Sequence, residues 1–266
     1  MGIHHNNSFP GKECDKSNQK TNNPKSHIFI NNSNKNKVID FDYSLLTPLL
    51  SRVNKTKENI ILLTTGSFNP IHRMHLEILN IASNYLLTLN RYNIICSFIS
   101  PSADCYVRHK EPPLIPFELR CQMINSAIQE YYLENKDNNL KIYLHKWEGT
   151  HDFFIFFPDV IKDMQKKINY YNIKLVYVCG LDLFLRCRNH LRKNVIVIER
   201  KPFENHNYKS KPEEFFYIIN GEKAEPFSST SIREYYRRND FKSIEQVTFP
   251  KVAKMVIEFY NQNYIT

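Results

Sequence analysis

Residues Thr65 to Leu76 of this 266-residue chain read T-G-S-F-N-P-I-H-R-M-H-L. Gly66 and Ser67 offer a backbone that a phosphate can approach closely. His72 and His75, three apart, fall on one face of a helix beginning there, where they can donate to phosphate oxygens or to charge on a transferring phosphoryl group. The same pair could share a plain surface face or bind a metal. No third ligand pattern completes a zinc site, so no metal-ligating residue is assigned. Far downstream, Pro226 to Arg233 (P-F-S-S-T-S-I-R) reads as a second helix start, with Ser and Thr hydroxyls as caps and Arg233 in the first turn. The helix dipole disfavours a cation at an N-terminus, so an anion bound at that end would explain the arginine. A simple Ser/Thr cap beside a solvent-exposed arginine is the alternative.

Elements must aim these residues. From residue 59 onward, short apolar runs alternate with longer helical patterns, which predicts βαβ units. Strands are expected at Ile60–Thr64, Ile94–Ile99, Lys141–His145, Lys174–Cys179, Val195–Glu199 and Phe215–Ile219. Helical patterns occupy about 73–90, 117–135, 152–171, 229–239 and 250–262, the last opened by Pro250. The fold class expected is α/β: a Rossmann-like, doubly wound, mostly parallel sheet with helices on both faces, plus a disordered N-terminal tail. Gly66 and Ser67 then leave the carboxyl end of the first strand, where open α/β sheets bind ligands and the next helix presents its amides. Residues 1–40, rich in Asn and Lys, lack the apolar residues that would repay ordering and are expected to be that tail. Residues 41–266 are expected to form a single domain, entered through a short amphipathic helix between about 40 and 56. No internal repeat is present.

Composition narrows the field. With 42% hydrophobic and 24% charged residues the chain reads as an ordinary soluble protein, and no apolar run is long enough to cross a bilayer. Its six glycines are too scattered for a G-x-G-x-x-G fingerprint or a G-x-x-x-x-G-K-[ST] loop. Its six cysteines form no C-x-x-C pair, and no secretory apolar segment opens the chain, so an intracellular place, cytoplasmic or nuclear, is expected. A myristoylation signal fails at Asn6, where Ser or Thr is needed. Of the net charge of +9, residues 1–57 contribute nine Lys/Arg minus four Asp/Glu. Lysine clusters attract phosphate, yet Asn/Lys tracts are usually solvated, so nucleic acid is not expected as a partner, nor is a membrane. Homo-oligomerisation is left open.

The first motif, G-S-F-N-P-x-x-x-M-H-L, together with S-S-T-x-I-R at 228–233, resembles the nicotinamide/nicotinate mononucleotide adenylyltransferases of eukaryotic type. These belong to the nucleotidyltransferase superfamily with the [HT]-x-G-H signature. The resemblance runs over roughly residues 59–262 and is extended by I-S-P-S-A-D-C-Y at 99–106, K-W-E-G-T at 146–150 and C-G-L-D-L at 179–183. It implies that Gly66, Ser67 and Phe68 lie at the phosphates and that His72 and His75 contact those of ATP. Lys110, or alternatively Arg108, would be a flexible cation for the same charge. Trp147, the only tryptophan, would pack near the pyridine with Thr150 close by, unless it is a core residue. Gly180 would allow close backbone approach, Asp182 would contact ribose or base, and Arg200 would bind nucleotide. Ser228, Thr230, Ser231, Ile232 and Arg233 would complete the phosphate clamp. The chain departs from the pattern in lacking a second tryptophan after C-G-L-D-L, in carrying Glu225 where an amide is expected, and in having His72 where Thr is frequent. The first two leave nicotinate against nicotinamide open.

The implied reaction is transfer of the adenylyl group of ATP to either pyridine mononucleotide, giving NAD or deamido-NAD and pyrophosphate, with Mg²⁺ accompanying ATP. The mononucleotide phosphate is already an anionic nucleophile, so in-line attack on the α-phosphorus needs no side-chain base. Holding two anions together is the main task, because like charges a few ångströms apart cost on the order of several kcal/mol. Two alternatives stay in view: a related transferase with another phosphorylated acceptor, and a non-catalytic nucleotide- or RNA-binding protein.

Overall fold

The computed structural model describes residues 49–108, 114–200, 207–221 and 225–263. The expected tail, most of the expected helix at 40–56, and Lys110 lie outside the described residues.

Six parallel strands form one sheet: β1 Glu58–Gly66, β2 Tyr92–Pro101, β3 Ile142–Leu144, β4 Ile173–Gly180, β5 Val195–Glu199 and β6 Phe216–Asn220. Their order across the sheet is β3-β2-β1-β4-β5-β6. β1 is therefore central and flanked by β2 and β4, so the chain reverses its direction of winding between β1 and β4. That is where a doubly wound sheet opens a crevice at its carboxyl edge. Strand β1, E-N-I-I-L-L-T-T-G, is apolar without alternation because both its faces are covered. Ile60 and Leu62 face one apolar cluster and Ile61 and Leu63 the other, as the two-residue period of a strand requires.

The helices are α1 Arg73–Thr88, α2 Asp104–Val107, α3 Phe117–Glu134, α4 Phe157–Ile168, α5 Leu181–Cys187, α6 Ser229–Arg237, α7 Phe241–Val247 and α8 Pro250–Asn263. Helices α1, α3, α6, α7 and α8 supply the first cluster, through residues such as Leu79, Ile124, Ile232, Ile244 and Val256. Helices α4 and α5 supply the second through Val160, Met164, Leu181 and Phe184. The expected α/β class is thus observed, helices on both faces included. Every expected strand is present within two residues of its expected ends. The helix expected at 152–171 is shorter, starting at Phe157 beside Pro158, a residue suited to a first turn. Helices α2, α5 and α7, of 4, 7 and 7 residues, are too short to leave a readable period.

Candidate active site

Strand β1 delivers the chain at Gly66 into the loop that precedes α1. Phe68 there has φ 45°, a left-handed backbone costly for a residue with a side chain. Its ring folds back on Gly66, where an added Cβ would lie 3.3 Å from Phe68 Cζ. Ahead of α1 stands His72, whose backbone N–H donates to His75 Nδ1 at 3.1 Å. An accepting Nδ1 carries no proton, so neutral His75 holds its proton on Nε2 and donates from there. The two imidazoles stack with centroids 3.5 Å apart, and Phe68 meets His75 edge-on at 4.7 Å. His72 is 3% exposed, and burial first, then the neighbouring His75 and Arg200, hold its pKa well below 6.5. It is neutral at pH 7.

A cleft of about 220 Å³ opens at the carboxyl edge, lined among others by Gly66, Ser67, His75, Gly180, Asp182 and Arg200. Gly180 ends β4, and an added Cβ would come within 2.7 Å of Asp182 Oδ1 and 3.6 Å of Arg200 Nη2. Arg200 follows β5; its Nη1 donates to Phe227 O at 2.8 Å and its Nη2 lies 3.9 Å from Asp182 Oδ1. Arg200 therefore bridges the β4 end, the β5 end and the segment leading into α6. Asp182 also pairs with Arg186 at 3.2 Å.

The two distant motifs meet. Arg233 Nη1 donates to Asn69 O at 2.9 Å, and Ser229 Oγ donates to Pro70 O at 2.7 Å. Ser228 caps α6, its Oγ accepting from Ser231 N at 3.0 Å and lying 2.7 Å from Ser231 Oγ. The start of α6 at Ser229 puts Arg233 in its second turn, not its first. Arg233 is 7% exposed and turned onto the loop backbone, with Nη2 donating to exposed Thr230. Ile232 is fully buried in the apolar cluster, so only its backbone could serve a ligand. Three polar atoms around this loop, Ser67 Oγ, His72 Nδ1 and Arg233 Nε, are buried without a protein partner. Each such group costs about 1–3 kcal/mol when left unpaired.

On the other flank, Trp147–Thr150 forms a short 3-10 turn. Trp147 itself is not among the residues lining the cleft. Its ring faces His151 at 4.9 Å and takes the Lys167 ammonium over its face at 5.3 Å. Thr150 Oγ1 donates to Trp147 O and is exposed. The neighbour Glu148 does line the cleft, 2% exposed, accepting from Ser100 Oγ at 2.9 Å. Burial raises its pKa to about 7, against the opposing pull of Ser102, Ser100 and Arg120. Tyr106 and Phe154, stacked at 4.5 Å, complete an aromatic wall. Arg108 is exposed beyond α2.

Residue reasoning missed Glu148, Tyr106, Phe154 and Arg120. A signal for Arg120 existed: Phe117, Arg120, Cys121 and Ile124 are spaced as a buried helical stripe, and a cation on such a stripe must be paired. No cluster of three or more His, Cys, Asp or Glu among the described residues could hold a metal. Nor, among them, is any helix long and apolar enough to cross a membrane.

Residues 63–235 match the family model described as cytidylyltransferase-like. The chain is 30% identical over 115 residues to the bovine (Bos taurus) nicotinamide/nicotinic acid mononucleotide adenylyltransferase 1, covering 43% of this chain and 37% of that protein. It thus spans little more than a third of that relative. It is 28% identical over 211 residues to a probable nicotinate-nucleotide adenylyltransferase of Pseudothermotoga lettingae, covering 74% of this chain and 94% of that protein. A solved structure of the Plasmodium falciparum nicotinic acid mononucleotide adenylyltransferase, complexed with NaAD, superposes with a TM-score of 0.58 at 23% identity, covering 78% of this chain and 98% of that one. That likeness concerns the fold.

Proposed function

The chain belongs to the cytidylyltransferase-like family, and on that premise we propose that it transfers the adenylyl group of ATP to nicotinamide or nicotinate mononucleotide, releasing pyrophosphate. One observation carries this reading most of the way. The loop after β1 and the ends of β4 and β5 line one cleft at the point where the sheet's winding reverses, and the segment entering α6 is bonded to Arg200 and to that loop. The names of the bovine, bacterial and Plasmodium relatives support the choice of acceptor.

The proposed mechanism needs positioning and charge compensation more than proton transfer. The mononucleotide phosphate attacks the α-phosphorus, a P–O bond forms, and the bond to the bridging oxygen of pyrophosphate breaks on the opposite side. His75, through Nε2–H, donates to phosphate oxygens as charge shifts to the leaving group. The dipole of α1 favours an anion at its N-terminus. Arg200 adds a fixed cation at the β5 end. Arg233 acts on the shape of the loop, through the Asn69 carbonyl. Preorganised donors of this kind supply much of a phosphoryl-transfer rate. Mg²⁺ would enter with the substrate, as MgATP.

An intracellular place, cytoplasmic or nuclear, is proposed on the same footing; Cys96, Cys121, Cys179 and Cys187 are buried free thiols, consistent with a reducing compartment. The experiment that tests the function incubates purified full-length protein with MgATP and each mononucleotide in turn, following dinucleotide and pyrophosphate. Formation of both products with at least one acceptor is expected. No dinucleotide from either acceptor would remove the proposal.

A further inference from the structure

Five carbonyls between the end of β1 and the start of α1 are held by donors from elsewhere in the molecule. Gly66 O accepts from Ser102 N at 2.9 Å, and Ser67 O from Arg120 Nη1 at 2.7 Å. Asn69 O accepts from Arg233, Pro70 O from Ser229 and Ile71 O from Thr248. A trans peptide points its N–H opposite its C=O. The amides of Ser67 and Phe68 are therefore turned away from Ser102 and Arg120, on the edge of a segment whose Gly66 and Ser67 line the cleft.

Arg120 does more than any other donor in this set. It is 0% exposed, and its one planar guanidinium reaches three segments. Nε donates to Ile115 O at 3.0 Å, ahead of α3; Nη1 to Ser67 O, after β1; and Nη2 to Ser102 O and Asp104 Oδ1, both at 2.8 Å, after β2. Asp104 offsets the buried charge, and its other oxygen accepts the Phe117 N–H at 3.1 Å, fixing the start of the helix that carries Arg120. The adjacent Asn69 Oδ1 accepts from Ile115 N at 2.9 Å, closing the circuit. None of these bonds is needed to complete the sheet or its apolar clusters.

We propose that Arg120 is a positioning residue for phosphate binding: from beneath the loop it sets the Ser67 carbonyl, and hence the Ser67 and Phe68 amides, for the triphosphate. This rests on the adenylyl-transfer reading. A fork of fixed N–H groups can serve three segments at once, whereas the point charge of a lysine cannot span them. A loop displaced by about 1 Å can lose on the order of a hundredfold in rate.

The test uses the full-length chain. Arg120→Lys, shown to be folded by circular dichroism and thermal unfolding, is expected to lose about a hundredfold in kcat and to bind MgATP more weakly by calorimetry, while KM for the mononucleotide moves much less. In Arg120→Ala, millimolar guanidinium is expected to restore turnover, which it should not do for Arg120→Lys, where the pocket is filled. A folded Arg120→Lys with unchanged kcat and MgATP affinity overturns the proposal, as does guanidinium that restores only the melting temperature of Arg120→Ala. Should neither variant fold, Asp104→Asn keeps the shape and loosens the fork; a smaller loss of the same sign supports the proposal and unchanged kcat and affinity overturn it. If wild-type protein makes no dinucleotide, the functional reading falls, and MgATP affinity across the same variants still judges Arg120.

Discussion

At the scale of single residues, the neighbours of each group set its chemistry. His75 accepts at Nδ1 and so must donate at Nε2; removing that donor in His75→Ala is expected to lower kcat/KM by about a hundredfold. Steady-state kinetics with both mononucleotides checks it, and near-wild-type activity would show that the donor lies elsewhere. Arg233→Ala should cost a similar factor, here by releasing the Asn69 carbonyl. Glu148 makes a separate statement about pH. Its folded pKa of about 7 stands above the ordinary 4.5 because it is buried, so the folded chain keeps a proton there that the unfolded chain gives up. Its contribution to stability is complete below pH 4.5 and is lost as pH rises through 7. His72 and His145, held below 6.5 first by burial, act oppositely: their contributions are complete above pH 6.5 and are lost as pH falls. Glu148→Gln removes only the first slope. Relative to wild type, that variant is expected to gain about 2 to 3 kcal/mol between pH 5 and 8, read from urea midpoints; a difference that stays flat across this range would exclude a protonated Glu148.

At the scale of elements, two contacts decide whether the flanks of the cleft hold their shape. The turn Trp147–Thr150 lies hard against α3: a Cβ on Gly149 would fall 1.9 Å from the Phe117 ring. Phe117 is itself buried, so the ring cannot simply swing away. Gly149→Ala is expected to cost about 1–3 kcal/mol by overpacking, and a double variant with Phe117→Leu should recover part of it in denaturant unfolding. On the opposite flank the N-cap of α6 is expected to be worth about 1 kcal/mol, measurable as the loss in Ser228→Ala, since Ser231 N would lose its acceptor. The cap also fixes where α6 starts and hence where Arg233 points. Activity in Ser228→Ala should fall together with stability; an unchanged melting temperature would mean that tertiary packing, not the cap, sets the helix start.

For the whole molecule, the sheet order explains why one cleft gathers residues from positions 64 to 200. Winding outward from a central β1 leaves the carboxyl ends of β1 and β4 uncovered between two layers of helices. Loops from both halves of the chain must then converge there. We propose that residues 1–40 take no part in catalysis, and a chain lacking them through Asn36 is expected to keep its kcat and KM; a large fall in turnover would refute this.

The positions of the strands and of the five longer helices were legible in the sequence because they follow from local pattern: a short run such as Ile60–Leu63, apolar on both faces and followed by Gly66, suits a covered strand. The Gly66–Ser67 and Ser228–Arg233 motifs were legible for a similar reason, as a helix start announces itself within a few residues. Side-chain direction was not legible, since it depends on what distant segments offer. Arg233, expected to meet phosphate, found the Asn69 carbonyl; Trp147 turned toward Lys167 and His151, leaving Glu148 at the cleft. The role of Arg120 lay furthest from local reading, because its four acceptors come from three separate segments, and only packing those segments together in a dry interior gives a buried guanidinium its partners.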